Sequence, residues 1–470
     1  MKNKRERRSR LSAALCAVFT MLSFTSCSTL KKAQDGLQPD KPTTTSETSK
    51  KTFSPTPEPE TSSTVPDATP TPDPKEEALA IAKEHGVPEE YLRGEYELFL
   101  KFARTIDGNK KLGNYTRYMY FLFPIVADHI TEEGYEFFFA KLGTLRIEEK
   151  YQMIGYVGTY TSSDNVVNMN LSYTDSDRFC YDAVALHELI HFIDSTIDGA
   201  IEQLVLTPDE FYPIGEASGD SNDRSAKVTK AHFLTEGFAE LYCEKYYSRI
   251  NSAYQVPVQF LTGLEYLIGP EKMDELFIRH DSAYGMALLM EEEGFSTQEI
   301  YYFFQTMEYM TNAKLPPTYC LRPEDVLIQM YSNHKSGDFK DDPVFCHILR
   351  CIGGDDRFPF SHLPPSSYNE DFLQANLWSH DTSIEWCNSI FAQFPDIPAL
   401  DYYNVPLLGI FLDGEYTLIG KVTLYPGTDK EKKNQYVAVR YDFTTGKAIS
   451  YEIAPASPFE KEDQKENADS

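Results

Sequence analysis

The sequence predicts an α+β fold: a mostly helical body enclosing a small sheet, with a small antiparallel β-unit near its C-terminus. Three observations lead there. From Glu76 to about Lys150 apolar residues recur at helical spacing, as in "EEYLRGEYELFLKFARTI", where Leu92, Tyr96, Phe99 and Phe102/Ala103 share one face. Between them and the next helices, Val167, Met169, Leu171 and Tyr173 alternate with Asn168, Asn170 and Ser172, the period of a strand buried on one side. From about 401 to 456, "EYTLIGKVTLYPG" and "NQYVAVRYDFTTGKAISYEI" alternate again, with Gly and Thr at the turns.

The elements follow in order. Lys2, Lys4, Arg5, Arg7, Arg8 and Arg10 precede an apolar stretch from Leu11 to Phe24, which is shorter than the roughly 20 residues a membrane span requires. Residues 1–26 therefore read as an export leader. "LSFTSC" ends it, and the small residues before Cys27 resemble a bacterial lipobox, with Phe24 where that motif usually has Leu. Cys27 is the expected lipidation site, holding the chain to the outer face of a membrane. Residues 27–75 are rich in Ser, Thr, Pro and charge, with too little apolar surface to offset the entropy of ordering, and read as a solvated tether. Residues 76–335 are expected to form the main domain, 336–400 a helical extension, 401–456 the β-unit and 457–470 a charged, solvated tail. "YMYFLFPIVADHI" is apolar but short and broken by Pro124, so it belongs to the core.

The chain carries a formal charge of −28, with 44 Lys and Arg against 72 Asp and Glu. Removing residues 1–26 takes away six basic groups and one acidic group and leaves −33. Such a surface repels phosphate backbones and excludes nucleic acid as a partner. Cys180, Cys243, Cys320, Cys346, Cys351 and Cys387 form no C-x-x-C pair, so a cysteine zinc cluster is not expected; free buried thiols and disulfides are both open.

Chemistry concentrates in "YDAVALHELIHFIDSTIDG", which predicts a helix from about Tyr181 to Ile197 with Asp198-Gly199 as its stop. His187 and His191 are one turn apart and share a face, with Glu188 about 100° round from His187. Two imidazoles on one face can hold one zinc ion, and a neighbouring carboxylate can reach water bound to it. A catalytic zinc usually has a third protein ligand. Asp194 and Ile197 stand where the metzincin pattern needs Gly and His, so the third ligand comes from elsewhere. "LTEGFAELY" is the best source: Glu236 and Glu240 are one turn apart, and Gly237 and Ala239 permit close helix packing. Taken alone, the two glutamates would be a solvated helix face; with HELIH upstream, Glu236 becomes the candidate ligand. His232, one turn earlier, is either a rival ligand or a helix-start residue.

Together, "HELIH" and "LTEGFAELY" resemble the gluzincin metallopeptidases, the group of thermolysin, aminopeptidase N and the lethal-factor type. The resemblance implies zinc on His187, His191 and Glu236, Glu188 as the catalytic base, and Glu240 as the residue that orients His187 through its other ring nitrogen. The long connection to Glu236 is most similar to the lethal-factor type, and the aminopeptidase motif G-A-M-E-N is absent. The function implied is a membrane-anchored zinc peptidase acting on proteins or peptides. Two alternatives are an inactive binding lipoprotein on the same scaffold and a hydrolase of cell-wall peptides. The strand from Val166 to Tyr173 would serve as the substrate-binding edge strand. Tyr212, His280 and Tyr284 are the candidates for a donor to the oxyanion.

Overall fold

The computed structural model describes residues 73–151, 157–171, 178–197, 204–213, 227–229, 231–246, 254–279, 282–311, 321–353, 392–393, 407–414, 417–424, 435–442, 445 and 447–455. Cys27, the leader, residues 27–72 of the tether and His280 lie outside them, and the last residues expected in the tether, 73–75, instead open the first helix. Helices dominate, with three small sheets, so the fold is α+β.

Five helices come first: α1 (Pro74–Glu84), α2 (Tyr96–Gly108), α3 (Thr116–Phe121), α4 (Phe123–His129) and α5 (Glu132–Thr144). Local chemistry starts them. Asp73 accepts the Lys75 amide at 3.1 Å and Pro74 opens α1; Thr131 accepts the Gly134 amide at 2.9 Å ahead of α5. Pro124 falls in the first turn of α4, where it separates α3 from α4 without loss of a helical bond. Phe123, Ile125 and Val126 are buried, so this apolar segment is core, as expected. The helical face beginning at Leu92 is interrupted. Leu92 ends a short 3-10 turn, and Arg93 (φ 53°) and Gly94 (φ 82°) adopt left-handed backbone before α2 begins at Tyr96.

The helical reading also runs too far at its end. Arg146–Lys150 is a strand, β1, not helix. It pairs in parallel with β3 (Val166–Asn170), which meets β2 (Gly158–Thr161) on its other side in antiparallel register. Cross-strand pairing overrides the segment's local charge pattern. Because β3 is central, it cannot be the edge strand expected of it; β2 holds that outer position, beside α6 (Arg178–Asp194).

α6 begins and ends earlier than its pattern suggested. Asp194 is its last residue, and the Asp198-Gly199 stop lies outside the described residues. Val184, Ala185, Leu186, Leu189, Ile190, Phe192 and Ile193 leave little of its circumference exposed, so it runs through the interior. A three-stranded sheet follows, β4 (Leu204–Leu206) between β5 (Phe211–Pro213) and β6 (Lys227–Thr229). Next come α7 (His232–Tyr246), α8 (Gln255–Ile268), α9 (Pro270–Asp274), α10 (Ser282–Glu292), α11 (Thr297–Thr311), α12 (Pro323–His334) and α13 (Pro343–Gly353).

α8 is the hub of this half, packed against α7, α12 and α13. Close approach needs missing side chains: a Cβ on Gly237 of α7 would meet Pro257 Cβ at 2.6 Å, and one on Gly263 would meet Leu327 Cδ1 at 2.6 Å. The first contact is the small-residue packing expected at Gly237. β7 (Leu407–Asp413), β8 (Thr417–Leu424), β9 (Gln435–Asp442) and β10 (Lys447–Pro455) form the expected C-terminal antiparallel sheet, and β7 packs directly on α7 and α8. Cys243 and Cys346 are buried and Cys351 is half-buried. No described helix is long and apolar enough to cross a membrane.

Candidate metal centre

Two buried helices bring the site together. α6 supplies His187, Glu188 and His191; α7 crosses it and supplies Glu236 and Glu240. Apolar residues around α6 leave the imidazoles as the polar exception in its middle, and their one-turn spacing turns both toward α7. His187 Nε2 lies 2.9 Å from Glu236 Oε2 and 3.1 Å from His191 Nε2. His191 Nε2 lies 3.4 Å from the same Glu236 oxygen. Tetrahedral ligands about 2.0–2.1 Å from a zinc ion stand about 3.3 Å apart. The three measured separations straddle that value, so His187, His191 and Glu236 fit as one group able to hold a metal ion.

The surroundings fix these side chains. Glu240, almost fully buried, places Oε2 3.3 Å from His187 Nδ1. In the neutral ring, donating Nδ1–H to that carboxylate leaves the lone pair on Nε2, the nitrogen that faces the group. The ring of Tyr254 stacks on His187, with centroids 5.8 Å apart and planes 12° apart. Glu188 points beside the group toward β2, where the Tyr160 amide donates to it. A Cβ on Gly158 would lie 2.9 Å from Glu188 Cγ, so strand and carboxylate are in contact only because that residue is glycine.

Charge is dense and shielded from water. Burial opposes a charge on His187, yet the Glu236 and Glu240 carboxylates hold its pKa well above the ordinary imidazole value. Burial likewise opposes ionisation of Glu236, but His191, His187 and His232 pull its pKa well below the carboxylate range. A carboxylate kept anionic beside imidazole nitrogens is a donor set for a cation. Glu188 differs: burial pushes its pKa up, against the pull of His187 and His191. Of the two carboxylates, Glu188 is the one whose protonated form the surroundings favour.

Of the oxyanion candidates, Tyr284 is drawn into the core against Phe211, ring centroids 6.1 Å apart, and Tyr212 pairs through β5 with Val205 of β4. Among the described residues neither makes a hydrogen bond or ion pair with the metal group. His232 is the first residue of α7, a helix-start residue as one of its two readings held. Sequence reasoning missed Tyr254 and Gly158. A glycine inside the "YVGTY" alternation was a usable signal of close approach; Tyr254, one of 31 tyrosines, carried none.

No protein-family model, curated protein or solved structure matches this chain.

Proposed function

We propose that the chain is a zinc-dependent peptidase of gluzincin type, with His187, His191 and Glu236 as metal ligands and Glu188 as general base. The observation that carries the reading is the combination of three ligand atoms at mutual distances of 2.9, 3.1 and 3.4 Å with a buried carboxylate on the next residue of the same helix. His187, His191 and Glu236 would hold the zinc ion, which would supply Lewis acidity toward water and a carbonyl oxygen. Glu188 takes the proton of the attacking water and returns it to the leaving amine. Burial, which raises the Glu188 pKa, makes it a stronger proton acceptor for that exchange. Glu240 keeps His187 in the tautomer that ligates. The outer edge of β2 accepts an extended peptide by strand addition, with its scissile carbonyl beside Glu188. The leader and Cys27 support export and lipid anchoring, with a protein or peptide substrate outside the cell.

The test is Glu188→Gln in the full chain. Zinc content and far-UV circular dichroism should stay at the parent level while peptide cleavage falls about 10²–10⁴-fold. Undiminished cleavage by this variant would remove Glu188 from the mechanism.

A further inference from the structure

Glu236 meets the two α6 histidines with only one of its oxygens. Oε2 lies 2.9 Å from His187 Nε2 and 3.4 Å from His191 Nε2. Oε1 turns away and lies 3.1 Å from Nε2 of His232, one helical turn earlier on α7, a contact at hydrogen-bond distance that lacks hydrogen-bond alignment. That histidine is itself held in place from two other elements. The edge of its ring meets Tyr254, the residue before α8, at 6.5 Å and 87° between planes. Its backbone amide and that of Phe233 (3.3 Å) donate to the carboxylate of Glu308 on α11. Helix N-termini carry amides without intrahelical partners, and Glu308 caps those of α7 from a helix remote in sequence. Glu308, Tyr254 and His232 thus converge behind Glu236.

A carboxylate held through one oxygen can rotate, either presenting both oxygens to a cation or swinging clear of it. Fixing the outer oxygen removes that freedom before an ion arrives. We propose that His232 is a positioning residue for the metal group. In the tautomer with its proton on Nε2, a small turn of the ring aligns that proton with Glu236 Oε1, 3.1 Å away, so that Glu236 ligates through Oε2 alone. His232 is not itself a ligand, because its nitrogen meets the oxygen directed away from the imidazole pair. Glu308 sets the first turn of α7 so that this contact forms. The inference rests on the metal-centre reading above and adds a residue to it.

The experiment measures zinc affinity by chelator competition and the visible spectrum of the cobalt-substituted full chain. It compares the parent with His187→Ala, His232→Leu, His232→Asn and His232→Gln. Leu removes the donor; Asn keeps a polar helix start but cannot reach; Gln puts an amide N–H within reach of Oε1. His232→Leu and His232→Asn should bind zinc about 10–100-fold more weakly, with an altered cobalt spectrum and an unchanged far-UV spectrum. His232→Gln should recover most of the affinity and the parent spectrum, a rescue that a purely structural role would not give. His232→Asn keeps the test decisive should the Leu variant not fold. Parent-like binding and spectrum in the Asn variant, or no recovery with Gln, overturns the inference alone. Loss in the Asn and Gln variants as complete as in His187→Ala makes His232 a ligand and also overturns it. A parent that takes up no zinc overturns the metal-centre reading, and this inference with it.

Discussion

A methyl group at position 158 would meet Val184 Cγ1 at 2.6 Å and Glu188 Cγ at 2.9 Å. Both contacts are shorter than real Cβ contacts, so Gly158→Ala must push β2 off α6 or turn Glu188 away. Overpacking of this kind costs about 1–3 kcal/mol. A misplaced base can cost up to about 10²-fold in turnover. Gly158→Ala should therefore lower kcat far more than its modest shift in the urea midpoint implies, while zinc content stays at one ion. Parent kcat in a folded variant would separate β2 from the reaction. The two glutamates of α7 should also differ in kind. Glu236→Ala removes the carboxylate of the group able to hold a metal ion and, on the proposed function, should abolish tight zinc binding. Glu240→Ala removes only the partner of His187 Nδ1 and should weaken binding about 10–100-fold, with activity partly restored by excess zinc. A zinc titration of both variants decides it, and the opposite order would exchange their roles.

Along α7 the spacing of four repeats a carboxylate with three different partners: Glu236 faces the imidazoles, Glu240 orients one of them, and Glu244 accepts the Ile410 amide at 3.0 Å. Half of that pattern was legible in advance. HELIH and the Glu236–Glu240 pair follow from helical periodicity, which is local, and so does the burial of α6. What the sequence could not disclose is pairing between distant segments. Arg146–Lys150 becomes a strand only because β3 lies beside it, and Val166–Asn170 becomes central for the same reason. Glu308 caps α7 across a separation of 75 residues, which no window of local pattern covers. The same holds for Lys245 on α7 and Glu265 on α8, whose Nζ and Oε2 lie 2.5 Å apart and largely out of water. Burial pushes the Glu265 pKa up, and Lys245 pulls it back. Lys245→Met leaves the carboxylate buried without its cation and should destabilise by about 3 kcal/mol near neutral pH. The sign with pH follows from the raised native pKa. The native state then holds its proton more tightly than the unfolded chain, so the stability this adds is present at low pH. It is lost as pH rises from the ordinary glutamate value through the native one. The penalty of Lys245→Met should therefore shrink as the medium is acidified toward the ordinary glutamate value. Urea unfolding of both proteins across that range checks it; a penalty independent of pH would mean that Glu265 is not the group responsible.

For the whole molecule, the C-terminal sheet and the metal group share one helix. Ile410 of β7 is tied at both polar ends, its amide donating to Glu244 of α7 and its carbonyl accepting the Thr262 hydroxyl of α8 at 3.0 Å. Ile410, Phe411, Leu418, Ile419, Val437 and Val439 bury their side chains in the same continuous core as α6, α7 and α8. Glu244 is itself 2% exposed, so β7 helps to shield its carboxylate from water while supplying an amide to it. Sheet and helices should thus unfold together, although the alternating pattern of 401–456 suggested a separate unit. Glu244→Leu tests the coupling with little change in apolar volume. It leaves the Ile410 amide buried without its acceptor, which costs about 1–3 kcal/mol. The thermal transition should stay single and move down, with near-UV and far-UV circular dichroism in step. Because α7 carries Glu236 and Glu240 on the same face, bound zinc should raise the midpoint of that whole transition, β-sheet included. Two separate transitions, with zinc moving only one, would show that the sheet is an independent domain that merely touches the helix bearing the site.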